Sequence, residues 1–357
     1  MELFNQEVSI FPTSYSEILQ RIRYIDPIRY GTTRNYINGN VSYLSPYISR
    51  GVVSTKFIFT EIINRGYPPE KIEKFIQELA WRDYWQQIWN SKGEAINQDL
   101  KHQQYPVSNH SIPTIIKKGN TGIHAIDTAI KKFYKTGYIH NHLRMYIASI
   151  ICNIGQSHWK IPAKWMYYHL LDADWASNAL SWQWVAGTNA HKKYFVNQDN
   201  INKYCFTNQK KTFLDVSYEE IPHIETPEIL KEKSIIKFKT PLPKQQVIDF
   251  NKQSPTLIYN FYNIDPNWKK DIVANRILLL EPSIFSKYPI SKKTIEFVLA
   301  ISQENIPDIQ VFVGEFHELQ NKYHHQKIIF KEHPLNYNYE GIQEARDWMF
   351  DIKGYHS

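Results

Sequence analysis

Apolar residues recur three and four positions apart in KIEKFIQELAWRDYWQQIW, IHAIDTAIKKFYKT and NHLRMYIASIICNI, the spacing that gives a helix one apolar face. Strand-like alternation is scarce before residue 222, so residues 1–221 are expected to form an all-helical domain. The stretch PHIETPEILKEKSIIKFKTPLPK, residues 222–244, holds four prolines among many charges and reads as a linker. Beyond it, apolar runs of strand length, TLIYNFYNI, RILLLEP, IQVFVGEF and KIIFKEHP, alternate with the helical patterns KKTIEFVLAISQEN and IQEARDWMF. That alternation predicts a smaller α/β domain over residues 245–357, for a mainly α protein overall.

With 357 residues, 42% of them hydrophobic and 15% aromatic, the chain can bury a substantial core and line a cavity with rings. The opening text MELFNQEVSIFP lacks the basic and apolar regions of a signal peptide, and runs such as YIASIIC are too short to span a bilayer; a cytoplasmic protein with no membrane contact is expected. Cys152 and Cys205 form no CxxC. His140 and His142 are two apart and His324 and His325 adjacent, so no metal site is expected. There is no GxGxxG or GxxxxGK[ST] loop. Residues 1–225 carry 25 Lys and Arg against 19 Asp and Glu, and eight of the ten tryptophans. A basic surface interleaved with rings suits a nucleic acid whose bases stack.

In FIQELAWRDYWQQIW, Glu78, Trp81, Arg82 and Trp85 fall on one helical stripe. Such a face can hydrogen-bond a base and stack on it. The plainer reading puts both indoles in the core and Glu78 in an ion pair. In HNHLRMYIAS, Asn141, Arg144, Met145 and Ala148 share a face that runs on into IASIIC. Arg144 there needs a carboxylate, Asp172 or Asp174, and a structural ion pair would satisfy it. In VSYLSPYISRG, Ser45 before Pro46 reads as an N-cap with Pro at the first helical position, where free N–H groups favour a phosphate or simply start a helix. The stretch DADWASNALSWQW, residues 172–184, sets two acids, an Asn and three indoles within thirteen positions.

In that order and at those separations, LSPYISRGVVS, ELAWRDYW, TGYIHNHLRM and LLDADWASNALSWQW resemble the FAD-binding domain of the DNA photolyase and cryptochrome family, over residues 20–200. The resemblance implies a helical domain holding one FAD in a bent shape. Asp172 would pair with Arg144 against the flavin, Asp174 lie at its pyrimidine edge, and Asn178 face the flavin N5. Ser42, Leu44 and Ser45 match the phosphate-holding turn, Arg82 the phosphate-binding arginine, and Tyr30 is a looser match. Trp182 is the indole next to the flavin and Trp159 the second member of the electron-supply chain. The third tryptophan is absent from its place, and Tyr105 is the candidate substitute.

Glu78, Trp81, Asn141, Met145 and Trp184 match positions that contact a cyclobutane pyrimidine dimer. The (6-4) photolyases carry histidines where this chain has Asn141 and Met145, which disfavours that activity. The resemblance therefore implies light-driven splitting of such dimers in UV-damaged DNA, single- or double-stranded. After the WQW motif the text departs from the family's. Val196 stands where many photolyases have a lesion-phosphate arginine, so Lys192, Lys193 or Lys203 would make the DNA contact. Most of the family place an α/β antenna domain first. Here an α/β segment follows the helical motifs, an order that resembles short photolyase-like proteins, and the antenna chromophore is left unassigned. A monomer is expected. Two alternatives stay open: a cryptochrome-like photoreceptor, and a flavoprotein that binds nucleic acid without repairing it.

Overall fold

The computed structural model describes residues 10–323 and 327–350. The first nine residues, read above for a signal peptide, and His324 and His325 lie outside that range. Helices dominate the chain as far as Cys205, although Ile112–Pro113 pairs antiparallel with Lys233–Ser234, a departure from the all-helical expectation. Five helices shape the region that matters here: α1 (Ser45–Ser49), α2 (Pro69–Lys92), α3 (Asn141–Ser149), α4 (Lys160–His169) and α5 (Trp175–Ala186).

Local chemistry explains their ends. Pro69 opens α2 with a preset helical φ, Glu70 and Lys92 complement the dipole at its two ends, and Gly93 stops it at φ 52°. Asp174 caps α5 by accepting from Ser177 N, and Gly187 ends it at φ 81°. Because α5 buries Trp175, Asn178, Leu180, Trp182 and Gln183, it has no solvent face of the usual width and packs against α2, α3 and α4. The α1 expectation shifts by one residue: Leu44 is the N-cap and Ser45 the first helical residue. The Ser45 hydroxyl is drawn to Asp172 instead.

Downstream, β1 (Thr256–Tyr259), β2 (Asn275–Leu280), β3 (Gln310–Val313), β4 (Ile328–Lys331) and β5 (Ile342–Glu344) form a wholly parallel sheet in the order β3-β2-β1-β4-β5. Side chains alternate across it. Leu257, Tyr259, Leu278, Leu280 and Ile329 join the same apolar core as the helices. Ile258, Ile277, Leu279, Phe312 and Phe330 pack on the other face with Phe316 and Leu319 of a covering helix. Every residue of β1 and β2 is buried, as a sheet covered on both faces requires.

The helix expected over IQEARDWMF does not form. Ile342, Gln343 and Glu344 pair in register with Ile329, Phe330 and Lys331, and the following N–H groups find side-chain acceptors, Arg346 N on Glu332 and Met349 N on Asp83. Tertiary partners thus replace the helical hydrogen bonds that the local pattern suggested. The stretch 222–244 crosses the helical surface with fixed contacts, among them Thr226 Oγ1 to Ile154 O at 2.9 Å and Tyr168 Oη to Lys239 O at 3.1 Å. Among the described residues no helix is long and apolar enough to cross a membrane, and no group of three or more His, Cys, Asp or Glu could hold a metal ion.

Candidate cofactor and substrate site

Two carboxylates at the start of α5 gather arginines from two other helices. Arg144 on α3 donates from both Nη atoms to Asp172, at 3.1 and 3.3 Å. This is the forked geometry that makes Arg–carboxylate pairs strong. Arg82 on α2 donates to Asp174 Oδ2 at 2.7 Å and lies 3.9 Å from Asp172. The other oxygen of Asp174 accepts from Gln86 Nε2 at 2.7 Å and from Ser177 N at 3.0 Å. Burial alone would push the Asp172 carboxyl up. The Arg144 and Arg82 guanidiniums, with hydrogen bonds from Arg144 and Ser45, outweigh it and hold the group below the usual carboxylate range. Asp172 is therefore a fixed acceptor.

Beside this cluster runs the turn that leads into α1. Tyr43 adopts φ 53°, a left-handed conformation uncommon for a residue with a side chain, and Leu44 is buried behind it. Ser42, Tyr43 and Tyr30 line a cleft of about 480 Å³ with Arg21, Gln20 and Asn40. Tyr30 sits edge-on to Phe75 at 5.1 Å, and burial pushes its hydroxyl up. Hydroxyls, two amides and a guanidinium, with Glu17 the one carboxylate, around a cleft of that size suit a phosphate-bearing ligand. Next to it, paired carboxylates and guanidiniums suit a polar heterocycle. The donor set thus fits a dinucleotide such as FAD.

The plain core reading of the α2 stripe fails for Trp81, which is 48% exposed and stacks on Trp85 at 5.2 Å and 25°. Glu78, also solvent-facing, accepts from Arg34 Nε at 3.3 Å. Asn141 is exposed at the start of α3, and Met145 is half-buried one turn on. Trp184 is 40% exposed and lies 5.7 Å from the Tyr194 ring. Lys192 is exposed, whereas Lys193 is half-buried against Gly187, and burial lowers its ammonium pKa. Val196 is fully buried.

The inner aromatic residues are placed differently. Trp182 and Trp159 are buried. Trp159 Nε1 donates to Asp99 Oδ1 at 2.7 Å, and its ring lies 6.5 Å from that of Trp175. Asn178 is buried, with its Nδ2 donating to Ala163 O at 2.8 Å. Tyr105 is 81% exposed.

Sequence reasoning missed Gln86, although it lies four residues after Arg82 and so on the same stripe. It also missed a crevice of about 220 Å³ where the sheet meets the carboxylate cluster. Its walls include Gln86, Asp174, Tyr262, Asn263, His333 and Arg346. The crevice opens at the carboxyl ends of β1 and β4, where the strand order reverses. Nothing local marks Arg346 as its contributor.

A family profile described as the FAD binding domain of DNA photolyase matches residues 75–249. The deoxyribodipyrimidine photo-lyase of Alkalihalophilus pseudofirmus is 28% identical over 229 residues, covering 59% of this chain and 47% of that protein. Cryptochrome-1 of Arabidopsis thaliana is 26% identical over 182 residues, covering 46% of this chain and 26% of that protein. Among solved structures, a Synechocystis cryptochrome aligns with a TM-score of 0.49 and 24% identity, over 55% of this chain and 44% of that one. The chain spans about half the length of the first curated relatives it matches, or less.

Proposed function

The chain belongs to the DNA photolyase and cryptochrome family and carries its FAD-binding domain; from that premise we propose light-driven repair of cyclobutane pyrimidine dimers in UV-damaged DNA. One observation carries the proposal beyond the family. Two large indoles, Trp81 and Trp184, stay in solvent on the two helices that meet at the carboxylate cluster. Exposed rings so placed offer stacking surfaces for flipped bases.

FAD, when bound and reduced, would supply the blue-light-driven electron-transfer chemistry. This chain's residues bind and orient. Asp172, held ionised by Arg144, and Asp174, held by Arg82 and Gln86, give the flavin a fixed polar wall. Ser42 and Tyr30 would serve its phosphates, while the Ser45 hydroxyl supports Asp172. A lesion leaves the helical stack more cheaply than an intact base and would lie between Trp81 and Trp184. Glu78 would turn from Arg34, in a half-exposed pair of little intrinsic strength, to the pyrimidine edges. Asn141 and Met145 complete the floor, and Lys192 approaches a phosphate. Trp182 and Trp159, both buried, would line the aromatic route toward the flavin.

Replacing Glu78 by Ala lowers light-dependent repair per bound lesion by about tenfold or more, the loss expected for one charge-assisted hydrogen bond. Photoreduction of the flavin stays at the wild-type rate. Wild-type repair in that variant would remove Glu78 from the substrate site. The second reading, a blue-light photoreceptor without repair, is supported by the likeness to cryptochrome-1, and it predicts photoreduction with no dimer splitting.

A further inference from the structure

Asp174 is gripped from the sheet side as well as by Arg82. Gln86, almost fully buried on α2, stands between two charges: Arg346 Nη1 donates to its Oε1 at 2.8 Å, and its Nε2 donates to Asp174 Oδ1 at 2.7 Å. A side-chain amide has one accepting end and one donating end. With a guanidinium on one side and a carboxylate on the other, only one of its two flips satisfies both. The reversed amide would point NH₂ at the guanidinium and oxygen at the carboxylate. Arg346 is fixed in turn. Its backbone N–H donates to Glu332 Oε1 at 3.0 Å, its guanidinium lies 4.8 Å from the Trp348 ring, and the chain is tied to α2 through Met349 N and Asp83 Oδ2 at 2.8 Å.

We propose that Arg346 is a positioning residue of the flavin site, setting the orientation of Gln86 and through it the place of Asp174. The proposal rests on the reading of Asp174 as the residue at the flavin's pyrimidine edge and does not depend on repair. The imide N–H at that edge is a donor, so an ionised carboxylate locked in place is its natural partner. The positive charge behind Gln86 also favours the reduced flavin over the oxidised one. The segment from Ile342 to Phe350 thereby becomes part of the cofactor site, although it lies more than 250 residues from Gln86.

The test uses the full chain. FAD affinity is measured on flavin-stripped protein by recovery of flavin fluorescence quenching, and the midpoint potential of bound FAD by dye titration. The proteins are wild type, Arg346→Met, Arg346→Lys, Gln86→Leu, the Arg346→Met/Gln86→Leu double variant and Asp174→Asn. Thermal melts establish that each is folded. Arg346→Met and Gln86→Leu each weaken FAD binding by about tenfold, the scale of one hydrogen bond to a charged group, and Arg346→Met, which removes the charge, moves the potential to more negative values. The double variant is no worse than either single one, since the two side chains act as a unit. Arg346→Lys recovers part of both losses.

Folded Arg346→Met and Gln86→Leu with wild-type affinity and potential, beside an impaired Asp174→Asn, overturn the role of Arg346 and leave the flavin reading standing. A wild-type Asp174→Asn overturns the premise itself. Should Arg346→Met fail to fold, Arg346→Lys and Gln86→Leu decide between the same outcomes.

Discussion

Glu281 follows the last residue of β2 with its carboxylate buried. Tyr339 Oη donates to one oxygen at 2.5 Å and Phe316 N to the other at 3.2 Å. Burial outweighs those two bonds and pushes the carboxyl up to about 7 from 4.5. Between these values the folded protein keeps a proton that the unfolded chain has released. The stabilisation is therefore complete below about pH 4.5 and is lost as pH rises through about 7, on the scale of about 3 kcal/mol. Glu281→Gln keeps the shape and removes the titration, so its unfolding free energy, followed by urea denaturation, should lack that fall between pH 4.5 and 7. An unchanged slope would show that Glu281 is ionised throughout. No pattern around it in the sequence distinguishes it from a surface acid. Arg144 was legible by contrast, because a guanidinium on a stripe that runs into IASIIC is costly without a carboxylate. The stripe alone left Asp172 and Asp174 open, the family resemblance named Asp172, and Arg144 donates to Asp172 in the structure.

At the scale of elements, the contact between the α1 turn and the sheet depends on one glycine. Gly51 has φ 67°, and a Cβ there would lie 2.6 Å from Tyr262 O. Beside it Ile264 N donates to Arg50 O at 2.8 Å. Gly51→Ala combines a left-handed backbone with a clash against main chain, and should cost about 2 kcal/mol or more in chemical denaturation. A loss below about 0.5 kcal/mol would mean that this junction yields freely. The helices α2 and α3 and the strands β1 to β4 were readable because their periods are long or their apolar runs unbroken. β5 was not. IQEARDWMF has a helix-like spacing of Ile342, Ala345 and Met349, and only the free edge of β4 and the acceptors Glu332 and Asp83 pull it into an extended strap. The helical start of α1 moved by one residue for a related reason, since Ser45 had a stronger partner in Asp172 than in its own helix.

On the scale of the whole molecule, the helices and one face of the sheet share a continuous core. Trp89 of α2 is its clearest joint. Its ring meets Tyr262 at 5.9 Å, Tyr288 at 5.6 Å and His333 at 5.0 Å, all from the downstream part. Trp89→Ala should therefore destabilise both parts together by about 4 kcal/mol, with far-ultraviolet circular dichroism and tryptophan fluorescence still reporting one coincident transition. Two separated transitions would show that the sheet folds on its own. The shared core also explains how the strap of residues 342–350 can reach the carboxylate of Asp174 through Gln86.

The central claim is that this assembly repairs DNA, and one measurement bears on it most directly. Protein carrying fully reduced FAD is mixed with a thymine-dimer oligonucleotide, single- and double-stranded, and restored thymines are scored with and without blue light. Restoration in the light alone, on at least one strand form, is the predicted result. No restoration on either form from protein with its flavin fully reduced would contradict repair and leave the photoreceptor reading in its place.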